Sequence, residues 1–291
     1  MVVKRWDLAM AKLGDLIKIC DGRLTLTSGT PVTTSDVTAA TTLYFTPYKG
    51  NNLSLYNITH DEWVFYEFSE LSISLAGKTA DTNYDVFVYD NSGTLTLELV
   101  AWSDATTRAT ALATQDGLYC KTGELNKRYL GTIRTTSTIG QCEDSRDTRF
   151  LWNYYNRVWK EVQKEESTSS WTYSGSAWRF LNNSSANRVY YVVGVPEEVY
   201  HFRMQGRIRT LNNAWAMIGL GINVSNNSTN SARAFQISDG VTNLGISPVA
   251  HINMMPSLGY SYVAALERAD GSNNADFYGD NNHGVYGMIK C

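Results

Sequence analysis

Residues 83–100 read NYDVFVYDNSGTLTLELV. In an extended chain successive side chains point to opposite faces. Tyr84, Val86 and Val88 therefore fall on one face, and Phe87 and Tyr89 on the other. Leu95, Leu97 and Leu99 repeat the two-residue period. Between the two runs lies Asp90-Asn91-Ser92-Gly93, residues that favour tight turns, and the stretch reads as a β-hairpin. The same alternation recurs at Leu24 and Leu26, at Leu53 and Leu55, and at Leu71, Ile73 and Leu75, with Lys49-Gly50-Asn51-Asn52 separating two runs. Short alternating runs at regular spacing predict antiparallel strands with one buried face. The fold class is mainly β, as antiparallel β-sandwich or small-barrel domains.

Downstream, residues 171–180 (WTYSGSAWRF) predict a second hairpin with Gly175-Ser176 as its loop. That register sets Trp171 opposite Phe180 and Tyr173 opposite Trp178, all on one face. Such a face either packs in the sandwich or between subunits, or it binds a glycan or protein by ring stacking. Packing is the expected role. Val189–Val195 and Val199–Arg209 read as further strands, Ala214–Val224 and Tyr260–Leu266 as buried ones, and Gly284–Cys291 as the last. No period of 20–50 residues is visible, which disfavours solenoids and propellers.

Two helices are expected. Val3, Trp6, Met10, Leu13, Ile17 and Cys20 follow a 3-4-3-4-3 spacing, an a/d seam for attachment or self-association, with Gly22 as its C-terminal stop. Leu151, Tyr155, Val158, Trp159 and Val162 follow i, i+4, i+7, i+8, i+11, with Asp147 as N-cap. The organisation expected is an N-terminal helix over 1–21, a first β domain over 22–146, a helical connector and linker over 147–168, and a C-terminal β-sandwich over 169–291.

Composition narrows the function classes. The chain has 291 residues, 43% hydrophobic and 18% charged, so it can build a core and is not a disordered segment. A formal net charge of −3 gives no basic face for a nucleic-acid partner. No apolar run approaches the ~18 residues of a membrane span. Charged residues interrupt the first twenty positions, so no secretory signal is expected and the chain should be made in the cytoplasm.

The chemistry-bearing residues are scattered. His60, His201, His251 and His283 have no partner at a metal-ligand spacing, and no cysteine pair has CxxC spacing. No metal, cofactor or catalytic residue is assigned. The pairs Glu143-Asp144, Glu165-Glu166 and Glu197-Glu198 are adjacent, so their side chains diverge in a strand. Four separate thiols are the simplest state; if one pair bridges, Cys120 and Cys142 are the candidates, because both lie in the first β domain.

The stretch GRLTLTSGTPVTTSDVTAATTLYFTPYKGNNLSLYN at residues 22–57 resembles a segment of structural proteins of tailed bacteriophages, often labelled tail fibre or virion structural protein. The resemblance continues through residues 109–133 (ATALATQDGLYCKTGELNKRYLGTI) and 149–158 (RFLWNYYNRV), and residues 169–183 are also similar. It implies a virion location and a fibre or appendage protein acting by binding. It also implies a homotrimer, docked at one end to capsid, neck or tail and exposing the other to the host surface, whether glycan or protein. A capsid decoration or neck protein without a receptor role is the first alternative, and a tail-associated glycan hydrolase the second.

Overall fold

The fold is that of a computed structural model describing residues 18–210, 214–229, 233–237 and 244–291. Strand Asn83–Asn91 pairs antiparallel with Thr94–Ala101 on one side and Glu124–Arg134 on the other. Asn91 faces Thr94, leaving Ser92 and Gly93 as a two-residue loop with φ of 53° and 91°. Both loop residues are left-handed, the turn whose twist matches the strands it joins. The expected hairpin is therefore present. Its first strand is more buried than one-face alternation predicts, since Asn83 to Val88 are all buried. Tyr84, Val86 and Val88 enter one core with Leu24, Leu43, Phe45 and Ile133. Phe87 enters another with Tyr129, Trp152 and Tyr191.

The second core lies within a sandwich. One layer is an eight-stranded sheet that runs Val37–Ala40, Cys142–Asp144, Thr148–Arg149, Arg188–Val193, Gly259–Ala269, Trp215–Ile222 and Arg233–Ile237, with Arg179–Phe180 also on Gly259–Ala269. It takes strands from both 22–146 and 169–291, so the two β regions are joined through backbone pairing. The opposite layer has two four-stranded sheets. Their orders are Trp159–Glu165, Gly284–Lys290, Tyr200–Gln205, Val249–Met254, and Ser170–Tyr173, Ala275–Tyr278, Arg207–Thr210, Leu244–Ile246. Val162, Phe202, Met204, Val285 and Ile289 from this layer share a core with Val189, Ile218 and Val263 from the other.

Neither expected helix is present in the described residues. Val3, Trp6, Met10, Leu13 and Ile17 lie outside them. Cys20, placed last in that seam, is extended and bridges Leu53. Gly22 opens strand Gly22–Thr25 rather than stopping a helix. A Cβ at Gly22 would overlap the Phe45 ring, so glycine is needed there for close approach. The connector at 147–164 consists of strands Thr148–Arg149, Leu151–Asn153 and Trp159–Glu165. Lys160 and Val162 are buried while Trp159 and Glu161 are exposed, which is period two rather than 3.6. Asn156 at φ 54° breaks the run. Tertiary pairing with Gly284–Lys290 outweighs a helical spacing in which four of five residues, Tyr155, Val158, Trp159 and Val162, are β-branched or aromatic with weak helix propensity.

The hairpin expected at 171–180 is also not formed. Trp171 pairs with Phe277, and Phe180 with Leu266. The two arms join different sheets, each gaining a longer partner than the other arm offers.

Gly194 marks where the sandwich meets the first region. A Cβ there would overlap the Tyr129 hydroxyl, Thr132 Oγ1 and the Trp152 ring. Overpacking of a close-packed interior costs about 1–3 kcal/mol. Gly194→Ala should lower the unfolding free energy by that amount in urea denaturation.

Candidate functional site

The expected aromatic face is distributed around one buried carboxylate. Trp171 stacks on Phe277 with ring centroids 6.1 Å apart. Its indole N–H donates to Glu267 Oε2 at 2.6 Å. Arg179 Nε donates to Glu267 Oε1 at 2.7 Å, and the same guanidinium lies 3.7 Å from the centroid of Tyr173. Trp178 is 8% exposed and packs with Ala264 and Leu266 in a cluster that Phe180 flanks. All four aromatics pack against their own chain. Glu267 is fully buried, and burial pushes its pKa up to about 7 although Arg179 and Trp171 both favour the carboxylate.

Cys120 and Cys142 do not bridge; all four cysteines are free and buried. Cys120 lies beside Tyr56 and Trp63, whereas Cys142 belongs to the core of Leu43 and Phe150. The two therefore sit in separate clusters. Burial pushes Cys20 and Cys120 up to about 11, so neither is a ready nucleophile. Among the described residues no group of three His, Cys, Asp or Glu forms a metal site. The most buried carboxylates are committed to cations. Asp85 pairs with Arg108 at 2.6 Å, and Asp144 pairs with Arg149 at 2.9 Å and with Lys160. Burial raises the Asp144 pKa, but Lys160 and Arg149 outweigh it and hold the carboxyl below its usual value.

The open face of the sandwich carries what sequence reading did not assign. Along Tyr200–Gln205 the chain alternates: Tyr200, Phe202 and Met204 are buried, while His201 and Arg203 are exposed. Register places Glu161, Met288, His201 and Asn253 in one row, and Gln163, Tyr286, Arg203 and His251 in the next. Glu161, His201, Arg203, His251, Tyr286 and Met288 line a shallow groove of about 360 Å³. Trp159, 48% exposed, stands at its end with its ring 5.6 Å from His201. His201 Nδ1 bonds Asn253 Oδ1 at 2.8 Å, and the Tyr286 hydroxyl donates to Glu165 Oε1 at 2.8 Å. The rings are thus held from behind, and the groove is a preset mixture of aromatic surface and polar donors. The signal for it was present as alternation in YHFRMQGRIRT, residues 200–210.

No protein-family model matches this chain, and no curated protein sequence matches it. Among solved structures it is similar to Eiger TNF from S. frugiperda, at 9% identity and a TM-score of 0.31 over 46% of this chain and 92% of that one. It is also similar to an insecticidal delta-endotoxin from Bacillus thuringiensis, at 6% identity and a TM-score of 0.27, covering 93% of this chain and 51% of the toxin. A third is an exo-beta-1,3-galactanase from Phanerochaete chrysosporium, at 12% identity and a TM-score of 0.20, covering 92% of this chain and 68% of that one. Likeness at this level carries no functional argument.

Two outcomes follow from the Glu267 cluster. Trp178→Ala should cost about 3–5 kcal/mol in denaturant unfolding, the range for a buried Trp. The Glu267 pKa is higher folded than in its ordinary state, 4.5. The native chain therefore binds the extra proton, and this contribution is full below pH about 4.5 and lost as pH rises through about 7. At ~1.4 kcal/mol per pKa unit the loss is on the order of 3 kcal/mol. Comparing wild type with Glu267→Gln between pH 4.5 and 8 isolates it: the variant should lack that fall in stability.

Proposed function

We propose that this chain is a structural component of a tailed-phage virion, a fibre or appendage protein that works by binding. It docks to the particle through one end and presents the β-sandwich to the host surface or to a neighbouring particle protein. The observation that carries this reading is the open sheet face. The sheet leaves Trp159, Met288, His201 and Arg203 exposed on one surface, with Tyr286 half-buried among them. Exposed aromatic surface rimmed by polar groups marks interaction sites. The resemblance of residues 22–57 and 109–133 to virion structural proteins supplies the setting. Those segments include strands Gly22–Thr25 and Thr42–Pro47 and most of Glu124–Arg134, which supply Leu24, Leu43, Phe45 and Ile133 to the first core, so the resemblance falls on scaffold. A homotrimer is part of the same reading.

Gold labelling of intact particles with an antibody against the sandwich tests it. Label should appear on an appendage, at the tail, neck or head surface. Purified particles that lack the chain by mass spectrometry would overturn it. Light scattering of the purified protein should give three times the 32.5 kDa chain mass.

A further inference from the structure

The strand that lines the groove does not end with it. Tyr200–Gln205 passes through buried Gly206 into Arg207–Thr210. Pro248 O accepts a hydrogen bond from the Gly206 N–H at 3.3 Å, and a Cβ at Gly206 would press on Ile218. The chain thereby continues from one four-stranded sheet to the other with its outward residues kept in line. His201, Arg203 and Arg207 are exposed, with Gln205 half-buried between the two arginines. Arg209, next in the series, is neutralised by Asp276.

The two exposed arginines share an arrangement. Arg203 lies over the Tyr286 ring at 5.3 Å, and Arg207 lies over the Tyr278 ring at 4.6 Å, each tyrosine coming from the neighbouring strand. Among the described residues neither guanidinium has a carboxylate or hydrogen-bond partner. Stacking on an aromatic face fixes a guanidinium plane and leaves its edge donors open. Four residues of extended chain separate the two, about 13 Å at ~3.3 Å per residue. His201 and His251 add two imidazoles beside Arg203. The opposing charges are Glu161, two strands away from His201 beyond Met288, and Glu165, which accepts from the hydroxyl of Tyr286 at 2.8 Å.

We infer that this stripe binds an anionic polysaccharide, an extended glycan whose carboxylate or phosphate groups meet Arg203 and Arg207 while its sugar rings lie against Tyr286 and Trp159. The inference rests on the reading of this face as a contact surface and adds the class of ligand. Open fork donors recognise carboxylate and phosphate bidentately. Spacing along one strand suits a chain with repeated charges better than a single small anion. The aromatic surface beside the cations offers an apolar face to sugar rings, a contact that duplex nucleic acid, with its bases stacked inside, does not present.

The test uses the full chain with polygalacturonate as the probe, dextran as the neutral polymer and duplex DNA as the non-glycan polyanion, in titration calorimetry. Polygalacturonate should bind and dextran should not. Affinity should fall when salt is raised from about 0.05 M to about 0.5 M, where charges are strongly screened. Arg203→Gln with Arg207→Gln should weaken binding about tenfold or more with the melting temperature unchanged, as loss of charge-assisted bonds requires. Should that variant fold poorly, the salt dependence of the wild-type chain decides alone. Equal binding of dextran, an unaffected double variant, DNA binding as tight as polygalacturonate, or a change of oligomeric state in the variant would each overturn the inference. Particles that carry the chain while the purified chain fails to bind polygalacturonate sink this inference only. Binding by a chain that particles lack sinks the virion reading only.

Discussion

A sheet buried on both faces has to satisfy every polar group it carries, and one ion pair does this where the two cores meet. Asp85 sits on the strand between them, on the side of Phe87. Arg108 Nε donates to it at 2.6 Å and Thr132 Oγ1 at 2.7 Å. The same arginine donates through Nη2 to the Gly194 carbonyl at 2.7 Å and lies over the Trp102 ring. The pair thus fastens the first β region to the sandwich at the point where Gly194 admits Tyr129 and Trp152. A buried pair of this kind adds little net stability over apolar packing, but removing one partner strands a charge and costs several kcal/mol. Its contribution is to fix which surfaces of the two regions meet.

The same logic closes the chain on itself. Arg23 is almost wholly buried; its guanidinium donates to the backbone oxygens of Asn156 and Cys291, each at 2.6 Å. Arg128, also buried, donates to the carbonyls of Ile19 and Ser54 at 2.7 Å and lies over Tyr155. Asn156 returns bonds to the carbonyls of Cys20 and Gly22. These long side chains add side-chain donors to backbone oxygens of several segments, two of which, Ile19 and Cys291, also accept from the N–H groups of Ser54 and Val158. Segments far apart in sequence are clamped in this way, which explains why the described residues from Lys18 onward read as one structure with shared sheets.

What the sequence made legible was local. The hairpin at 83–101 has both its alternation and its two-residue turn inside one short stretch, and those suffice. Gly259–Ala269 and Gly284–Lys290 were likewise readable as strands from their apolar residues. The failures share a cause in partners distant along the chain. Leu151, Tyr155, Trp159 and Val162 fit a helical period, yet Trp159–Glu165 is held by Gly284–Lys290, more than a hundred residues away. Trp171 and Phe180 have the composition of a hairpin, yet each pairs with a residue beyond 260, Phe277 and Leu266. The open face was legible as alternation along 200–210, but two facts remained hidden. Register alone brings Tyr286 and Tyr278 beside the arginines, and only the paired structure shows which cations lack carboxylates.

What separates scaffold from surface in this chain is whether a cation's donors are taken. Inside they are, by carboxylates (Arg108 with Asp85, Lys160 and Arg149 with Asp144, Arg179 with Glu267) or by backbone oxygens (Arg23 and Arg128). Outside, Arg203 and Arg207 are oriented by tyrosine rings, which hold a guanidinium without neutralising it. An arginine fixed in this way loses less conformational freedom when a ligand arrives than one that is solvated and mobile. The regular spacing comes from the strand, the orientation from the neighbouring strand's tyrosines, and the rigidity from the sandwich beneath. Each of these depends on the buried residues that alternate with the stripe, Phe202, Met204 and Ile208, because a one-residue slip would turn the arginines into the core. The burial that holds the two layers together therefore also sets the geometry of the exposed face.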